Sequence, residues 1–218
     1  MMSSLTTSPA WTLLIPVKQT TIAKSRLTGF DAATRRRFAV AFAQDTVAAA
    51  VACPQVRRVV VVTDDPVANV LRELGADVIP DAPNAGLNAA LRYAADHVRH
   101  SDDGAPIAAV SSDLPAVRPA DLTRALTGTT ARRWFVPDAE GVGTTMLAAA
   151  RDEEWSPHFG PRSRAAHRAL GMVELEGPGL DRLRRDIDTA ADLSDAYRRG
   201  VGAWTTEVLA GLDELRPA

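Results

Sequence analysis

Four consecutive valines constrain this chain more than any other feature. They sit between Arg58 and Thr63 as Arg58-Val-Val-Val-Val-Thr63. A β-branched run without polar alternation reads as a strand with both faces covered, which is the habit of parallel strands in α/β proteins. Such a strand demands helices on either side, and the rest of the sequence supplies them. Trp11 to Val17 reads as a first strand, with Pro16 near its end. Residues 34–52 are Ala-rich, free of Gly and Pro, and read as a helix. Pro66 opens a helix to about Leu74, and Gly75 stops it. Ala76 to Pro80 is a short strand, Leu87 to Arg99 a helix, Ile107 to Val110 a strand, and Pro119 starts another helix. This β-α-β-α-β-α-β order predicts an α/β fold, a mainly parallel central sheet flanked by helices.

The second half is less regular. Trp134 to Val136, Thr145 to Ala148 and Met172 to Glu176 read as strands. Residues 151–171 are polar, contain Pro157, Gly160 and Pro161, and read as a loop over a site. Thr189-Ala-Ala-Asp192 matches a capping box, so a helix is expected to begin there. No internal repeat or low-complexity linker interrupts the 218 residues, a length suited to one domain over 11–218. Residues 1–10 lack the basic start and apolar core of a secretory signal and are read as a flexible tail.

Composition narrows the function. A net charge of −2 offers no basic excess for a dedicated nucleic-acid binder. No apolar run is long enough to span a bilayer. The single cysteine, Cys53, excludes an intrachain disulfide and a Cys-based zinc cluster, and is read as structural. A cytoplasmic protein is expected.

Ala108-Ala-Val-Ser-Ser-Asp113-Leu-Pro115 carries the first chemical signal. An apolar strand ends in a carboxylate and a turn, and open α/β sheets bind ligands outside the carboxyl ends of their strands. Asp113 there either caps the turn or reaches a Mg²⁺ ion that carries a nucleotide triphosphate. A second acidic cluster, Asp186-Ile-Asp188-Thr189, lies just before the expected helix. It serves either the helix dipole or the metal, with one of the two acids reaching the ion directly and the other supporting it. The loop after the first strand holds Lys18, Lys24 and Arg26, which either face solvent or neutralise phosphate. No GxGxxG or GxxxxGK[ST] fingerprint is present, which weakens dinucleotide and P-loop readings. Asn84-Ala-Gly86-Leu87-Asn88 offers Asn88 to a nucleotide, or Asn84 as a cap. Gly141-Val-Gly143-Thr144-Thr145 is a turn or a close backbone approach to a ligand. Gly160 and Ser163, with Arg162, Arg164, His167 and Arg168, are either an exposed loop or a site for a carboxylate or phosphate.

Seven short motifs occur in a fixed order. They are Pro16-Val-Lys18, Ala23-Lys24-Ser25-Arg26-Leu27, Gly86-Leu87-Asn88, Asp113-Leu-Pro115, Gly143-Thr144, Phe159-Gly160-Pro161-x-Ser163 and Asp186-Ile-Asp188-Thr189. The set resembles the guanylyltransferases of deazaflavin coenzyme F-420 biosynthesis, known as CofC or FbiD, across about residues 12–200. The resemblance implies a single-domain, Rossmann-like nucleotidyltransferase fold of the GT-A-like kind. In fold relatives a Gly-rich loop follows the first strand, and Ala23-Lys24-Ser25-Arg26-Leu27 takes its place here.

Function follows from the same resemblance. It implies that GMP passes from GTP to phosphoenolpyruvate with release of pyrophosphate, with 2-phospho-L-lactate or 3-phospho-D-glycerate as alternative acceptors. Asp113 and Asp186 match Mg²⁺ ligands, with Asp188 in the same motif. Thr144, Gly160 and Ser163 match positions that hold the phospho-acid. Lys18, Lys24 and Arg26 match the triphosphate side, and Lys24 also stabilises the leaving group. The next enzyme of the pathway, which consumes a labile product, is the expected protein partner. Rival readings are a molybdopterin or sugar-phosphate nucleotidyltransferase, and a GTP-binding domain without catalysis.

Overall fold

The computed structural model describes residues 11–18, 24–101 and 105–213. Residues 1–10, read above as a tail, lie outside the described residues, as does part of the loop after the first strand. In chain order the first half runs β1 (Trp11–Pro16), α1 (Ala32–Val51), β2 (Val56–Val62), α2 (Ala68–Glu73), β3 (Asp77–Ile79), α3 (Leu87–Ser101), β4 (Ile107–Val110) and α4 (Pro119–Thr127). The second half runs β5 (Arg133–Pro137), β6 (Thr144–Ala149), α5 (Ser163–Ala169), β7 (Val173–Glu174), α6 (Ala190–Arg199) and α7 (Ala203–Asp213).

Among the described residues the strands form one seven-stranded sheet in the order β3-β2-β1-β4-β6-β5-β7. β1, β2, β3 and β4 pair in parallel, and so do β5 and β7. β6 is antiparallel to both β4 and β5, so the sheet is mainly rather than wholly parallel. The valine run behaves as its composition demands. Val59 and Val61 face one apolar layer with Leu13 and Ile15, and Val60 and Val62 face the other with Leu14 and Leu91. A third cluster buries Phe38 and Phe42 of α1 against Leu27, Ile187, Leu193 and Val208, which seats α6 and α7.

Local signals set the element ends. Asp31 accepts a hydrogen bond from the Thr34 N–H at 2.7 Å and starts α1. Pro119 occupies the first turn of α4, and the Thr189–Asp192 capping box opens α6 as expected. Two expectations need correction. The supposed loop over 151–171 contains helix α5, and the Arg164–Arg168 run lies on it. Helix α7 was not expected at all. Its first turn is capped from α1, where the buried Asp45 carboxylate accepts from the Trp204 N–H at 3.2 Å and the Thr205 N–H at 3.0 Å. Partners 159 and 160 residues apart leave no local trace. Cys53 is buried and unpaired, as expected of a structural cysteine.

Candidate active site

The strand order reverses at β1, with β2 on one side and β4 on the other. That switch point opens a crevice at the carboxyl ends of both strands, where doubly wound sheets bind ligands. A cavity of about 310 Å³ lies there, lined by Pro16 and Lys18 from the end of β1, Ser111 to Asp113 from the end of β4, and Lys24, Phe159 and Asp188. A second cavity of about 280 Å³ shares the Pro16–Lys18 wall and runs toward Asp64, Asp81 and Asn84 beyond β2 and β3. Lys18 stands exposed between the two.

Lys24 organises the acidic groups. Its ammonium donates to Asp113 Oδ2 and to the Ile187 carbonyl, and lies 3.7 Å from Asp188 Oδ1. Its backbone holds φ 61°, the left-handed region that a side chain with a Cβ rarely enters, at a cost on the order of 1–3 kcal/mol. Burial alone would depress the Lys24 ammonium, but Asp113, then Asp188 and Asp186, reverse that and hold its pKa above the usual lysine value. Arg26 bonds Asp188 Oδ2 at 2.7 Å, with its own side chain 74% exposed. An ion pair so exposed contributes about 0–1 kcal/mol.

Asp186 and Asp188 both belong to the Lys24 side. The intervening Ile187 is fully buried in the third apolar cluster, and both acids act on the Lys24 ammonium. Burial first, and then the charges of Asp113 and Asp188, push the Asp186 carboxyl up to about 7. Three carboxylates stand against Lys24 and the exposed Arg26, and hard oxygen donors suit Mg²⁺. Among the described residues no group of three or more His, Cys, Asp or Glu side chains is placed to hold an ion. Mg²⁺ needs no such group, since it takes one or two carboxylates and completes its shell with water and substrate phosphates. The residues present fit the ion on those terms.

The residues expected to hold the acceptor sit at the start of β6 and around the start of α5, and none of them lines either cavity. The Ser111 N–H donates to the Thr145 carbonyl at 2.9 Å, which sets the start of β6 against the end of β4. Asp138 closes the turn before it, accepting from the Val142 and Gly143 N–H groups at 2.8 and 2.7 Å. Gly160 has φ +127°, a conformation open to glycine alone, and Ser163 at the start of α5 is buried.

Asn88, expected to face the nucleotide, holds a neighbouring loop. Its amide clamps the Phe159 main chain from both ends, Nδ2 donating to the carbonyl at 2.9 Å and Oδ1 accepting from the N–H at 2.8 Å. It fixes the loop that carries Gly160. The basic run on α5 is also committed elsewhere. Arg164 pairs with Glu174 at 2.6 Å, Arg168 reaches the same carboxylate at 3.4 Å, and His167 turns inward with no exposed surface. Sequence reading missed His167 as anything but part of a basic run, because its partners Thr144 and His158 lie 23 and 9 residues away.

Comparison with known proteins now decides the family. The profile described as "Guanylyl transferase CofC like" matches residues 11–213. This chain belongs to the CofC family. Its CofC-family relatives include a phosphoenolpyruvate guanylyltransferase of Streptomyces coelicolor, 51% identical over 205 residues that cover 93% of this chain and 97% of that one. Another of the same name, from Thermomonospora curvata, is 46% identical and covers 95% of this chain and 92% of the other. Solved structures support the fold at lower identity. A nucleotidyl transferase from Methanothermobacter superimposes with TM-score 0.52 at 18% identity, covering 87% of this chain and 97% of that one. A 4-diphosphocytidyl-2C-methyl-D-erythritol synthase superimposes with TM-score 0.56 at 12% identity, covering 88% and 99%. The CofC-family chain thus has the nucleotidyltransferase fold that its motif order implied.

Proposed function

We propose that this chain is a Mg²⁺-dependent, cytoplasmic phosphoenolpyruvate guanylyltransferase of coenzyme F-420 biosynthesis. It transfers GMP from GTP to phosphoenolpyruvate and releases pyrophosphate. The observation that carries the reading is the Lys24-centred cluster of Asp113, Asp186 and Asp188 at the switch-point cavity, in a chain whose relatives bear that name.

A phosphate oxygen of phosphoenolpyruvate attacks the α-phosphorus of GTP in line. The new P–O bond forms as the bond to the β-phosphate oxygen breaks, and pyrophosphate leaves with the electron pair. The attacking phosphate is already ionised at neutral pH, so no general base is needed. The obstacle is electrostatic, since two anions must meet. Asp113 and Asp186 would hold Mg²⁺, with Asp188 beside them, and the ion supplies Lewis-acid charge at the α-phosphate when bound. Lys24 exchanges its contact with Asp113 for the triphosphate and stabilises charge on the leaving pyrophosphate. Lys18, in the wall of both cavities, and Arg26, paired with Asp188, bind the triphosphate, and the second cavity takes the nucleoside. Thr144, Gly160 and Ser163 position the acceptor, and Asn88 holds their loop in place.

Pyrophosphate release tests this, measured with GTP and Mg²⁺ across phosphoenolpyruvate, 2-phospho-L-lactate, 3-phospho-D-glycerate and a sugar phosphate. Release that depends on phosphoenolpyruvate above the others is expected. Preference for another phospho-acid would move the acceptor assignment, and binding of GTP without release by any acceptor would end the catalytic one. The product is expected to be labile, so the next enzyme of the pathway is the natural coupling partner.

A further inference from the structure

We infer that His167 is a positioning residue that fixes the Thr144 hydroxyl as a hydrogen-bond donor to the phosphorylated acceptor. The inference rests on the reading that Thr144 belongs to the acceptor site.

Two contacts settle the imidazole tautomer. The His158 backbone N–H donates to His167 Nε2 at 3.1 Å. A backbone N–H can only donate, so Nε2 carries no proton and the proton of the neutral ring is on Nδ1. Nδ1 lies 2.9 Å from Thr144 Oγ1 and therefore donates to it. The threonine hydroxyl accepts in that bond, so its own hydrogen cannot go to Nδ1 and is left to donate to a different group. A phosphate or carboxylate has acceptor oxygens only at neutral pH, so a threonine held in this state is matched to the acceptor's anionic groups.

Backbone geometry brings the two residues together. Val136 pairs with Met146, but the next residue along, Pro137, pairs with Thr144, so Thr145 is an extra residue in β6. Without that bulge Thr144 would share a face with Met146 and Ala148 in the first apolar layer. With it, Thr144 meets His167, which packs on Phe135 and Phe159 of the other layer at centroid distances of 5.4 and 5.8 Å. Desolvation, with a smaller contribution from His158, lowers the His167 pKa to about 4, so the neutral ring and its tautomer persist at pH 7. One side chain thus ties β6, the loop before Gly160 and helix α5, which starts at Ser163.

Steady-state kinetics on the full chain with GTP, Mg²⁺ and phosphoenolpyruvate test the inference, using His167→Leu, His167→Asn, Thr144→Val and the double variant His167→Leu/Thr144→Val. His167→Leu is expected to raise the KM for phosphoenolpyruvate about tenfold, which is about 1.4 kcal/mol, and to leave the KM for GTP unchanged. His167→Asn, whose amide N–H can replace Nδ1–H, is expected to recover most of that loss. In the Thr144→Val background the His167 substitution is expected to add less than about twofold, because the group it acts through is gone. A parallel rise in both KM values, or full additivity in the double variant, would make His167 merely structural and overturn the inference. An unchanged phosphoenolpyruvate KM in Thr144→Val would instead remove Thr144 from the acceptor site, a separate failure of the functional reading. Should His167→Leu not fold, ¹⁵N NMR of the unsubstituted protein reads the tautomer directly. Protonated Nδ1 with bare Nε2 is expected, and the reverse assignment overturns the inference.

Discussion

Acid should destabilise this protein through one buried ring. His167 accepts from His158 through one nitrogen and meets Thr144 through the other, with no exposed surface, and its pKa is lowered to about 4 from an ordinary 6.5. Between those two values the unfolded chain holds a proton on this residue and the native chain does not. Protons therefore favour unfolding in that window. The contribution is fully retained above pH 6.5 and is lost as pH falls toward 4. The full shift of about 2.5 units corresponds to about 3 kcal/mol, of which about 2 kcal/mol is lost by pH 5. For a chain of this length that is a fall in melting temperature of roughly 4–8 °C. The measurement is thermal or urea unfolding at pH 7 and pH 5, for wild type and for His167→Asn, which cannot titrate. The wild type should lose about 2 kcal/mol more than the variant between the two pH values. Parallel losses, or an NMR titration of His167 near 6.5, would refute the buried, neutral ring.

Other perturbations follow from the same geometry. Asp113→Asn or Asp186→Asn should lower turnover by at least about a hundredfold in a protein that still folds, and near wild-type rates would remove that acid from the metal site. Lys24→Ala should raise the GTP requirement or lower the rate, and an unchanged GTP profile would take Lys24 out of the site. Asn88→Ala, which releases both ends of the Phe159 clamp, should raise the KM for phosphoenolpyruvate more than that for GTP, and the reverse order would restore Asn88 to the nucleotide side. Asp45→Ala leaves the Trp204 and Thr205 N–H groups without their partner and should cost about 2 kcal/mol in urea unfolding, and a change within error would deny the cap.

Much of the fold was legible because its signals are local. The valine run of β2, the apolar stretch that stops before Asp113, Pro119 at the start of α4 and the Thr189–Asp192 box each state their own structure within a few residues. The placement of β6 between β4 and β5 was not legible, since antiparallel insertion is decided by which edge is free and not by composition. α7 was missed because the group that caps it comes from α1. Of the candidate site, the charged residues stood out in the sequence, each with a structural reading beside the functional one. The residues that hold them did not. Asn88 has the chemistry of a base reader but closes on Phe159, and His167 sits in a basic run yet turns inward. Both choices are made by tertiary contact.

The central claim is that guanylyl transfer to a phosphorylated three-carbon acid occurs at the cluster around Lys24. Mass spectrometry of the product formed from GTP, phosphoenolpyruvate and Mg²⁺ tests it most directly. A guanosine diphosphate adduct of enolpyruvate, formed with equimolar pyrophosphate and absent with Asp113→Asn, is the predicted result. Pyrophosphate released with GMP as the only guanine product, or an adduct that persists in the Asp113 variant, would contradict it.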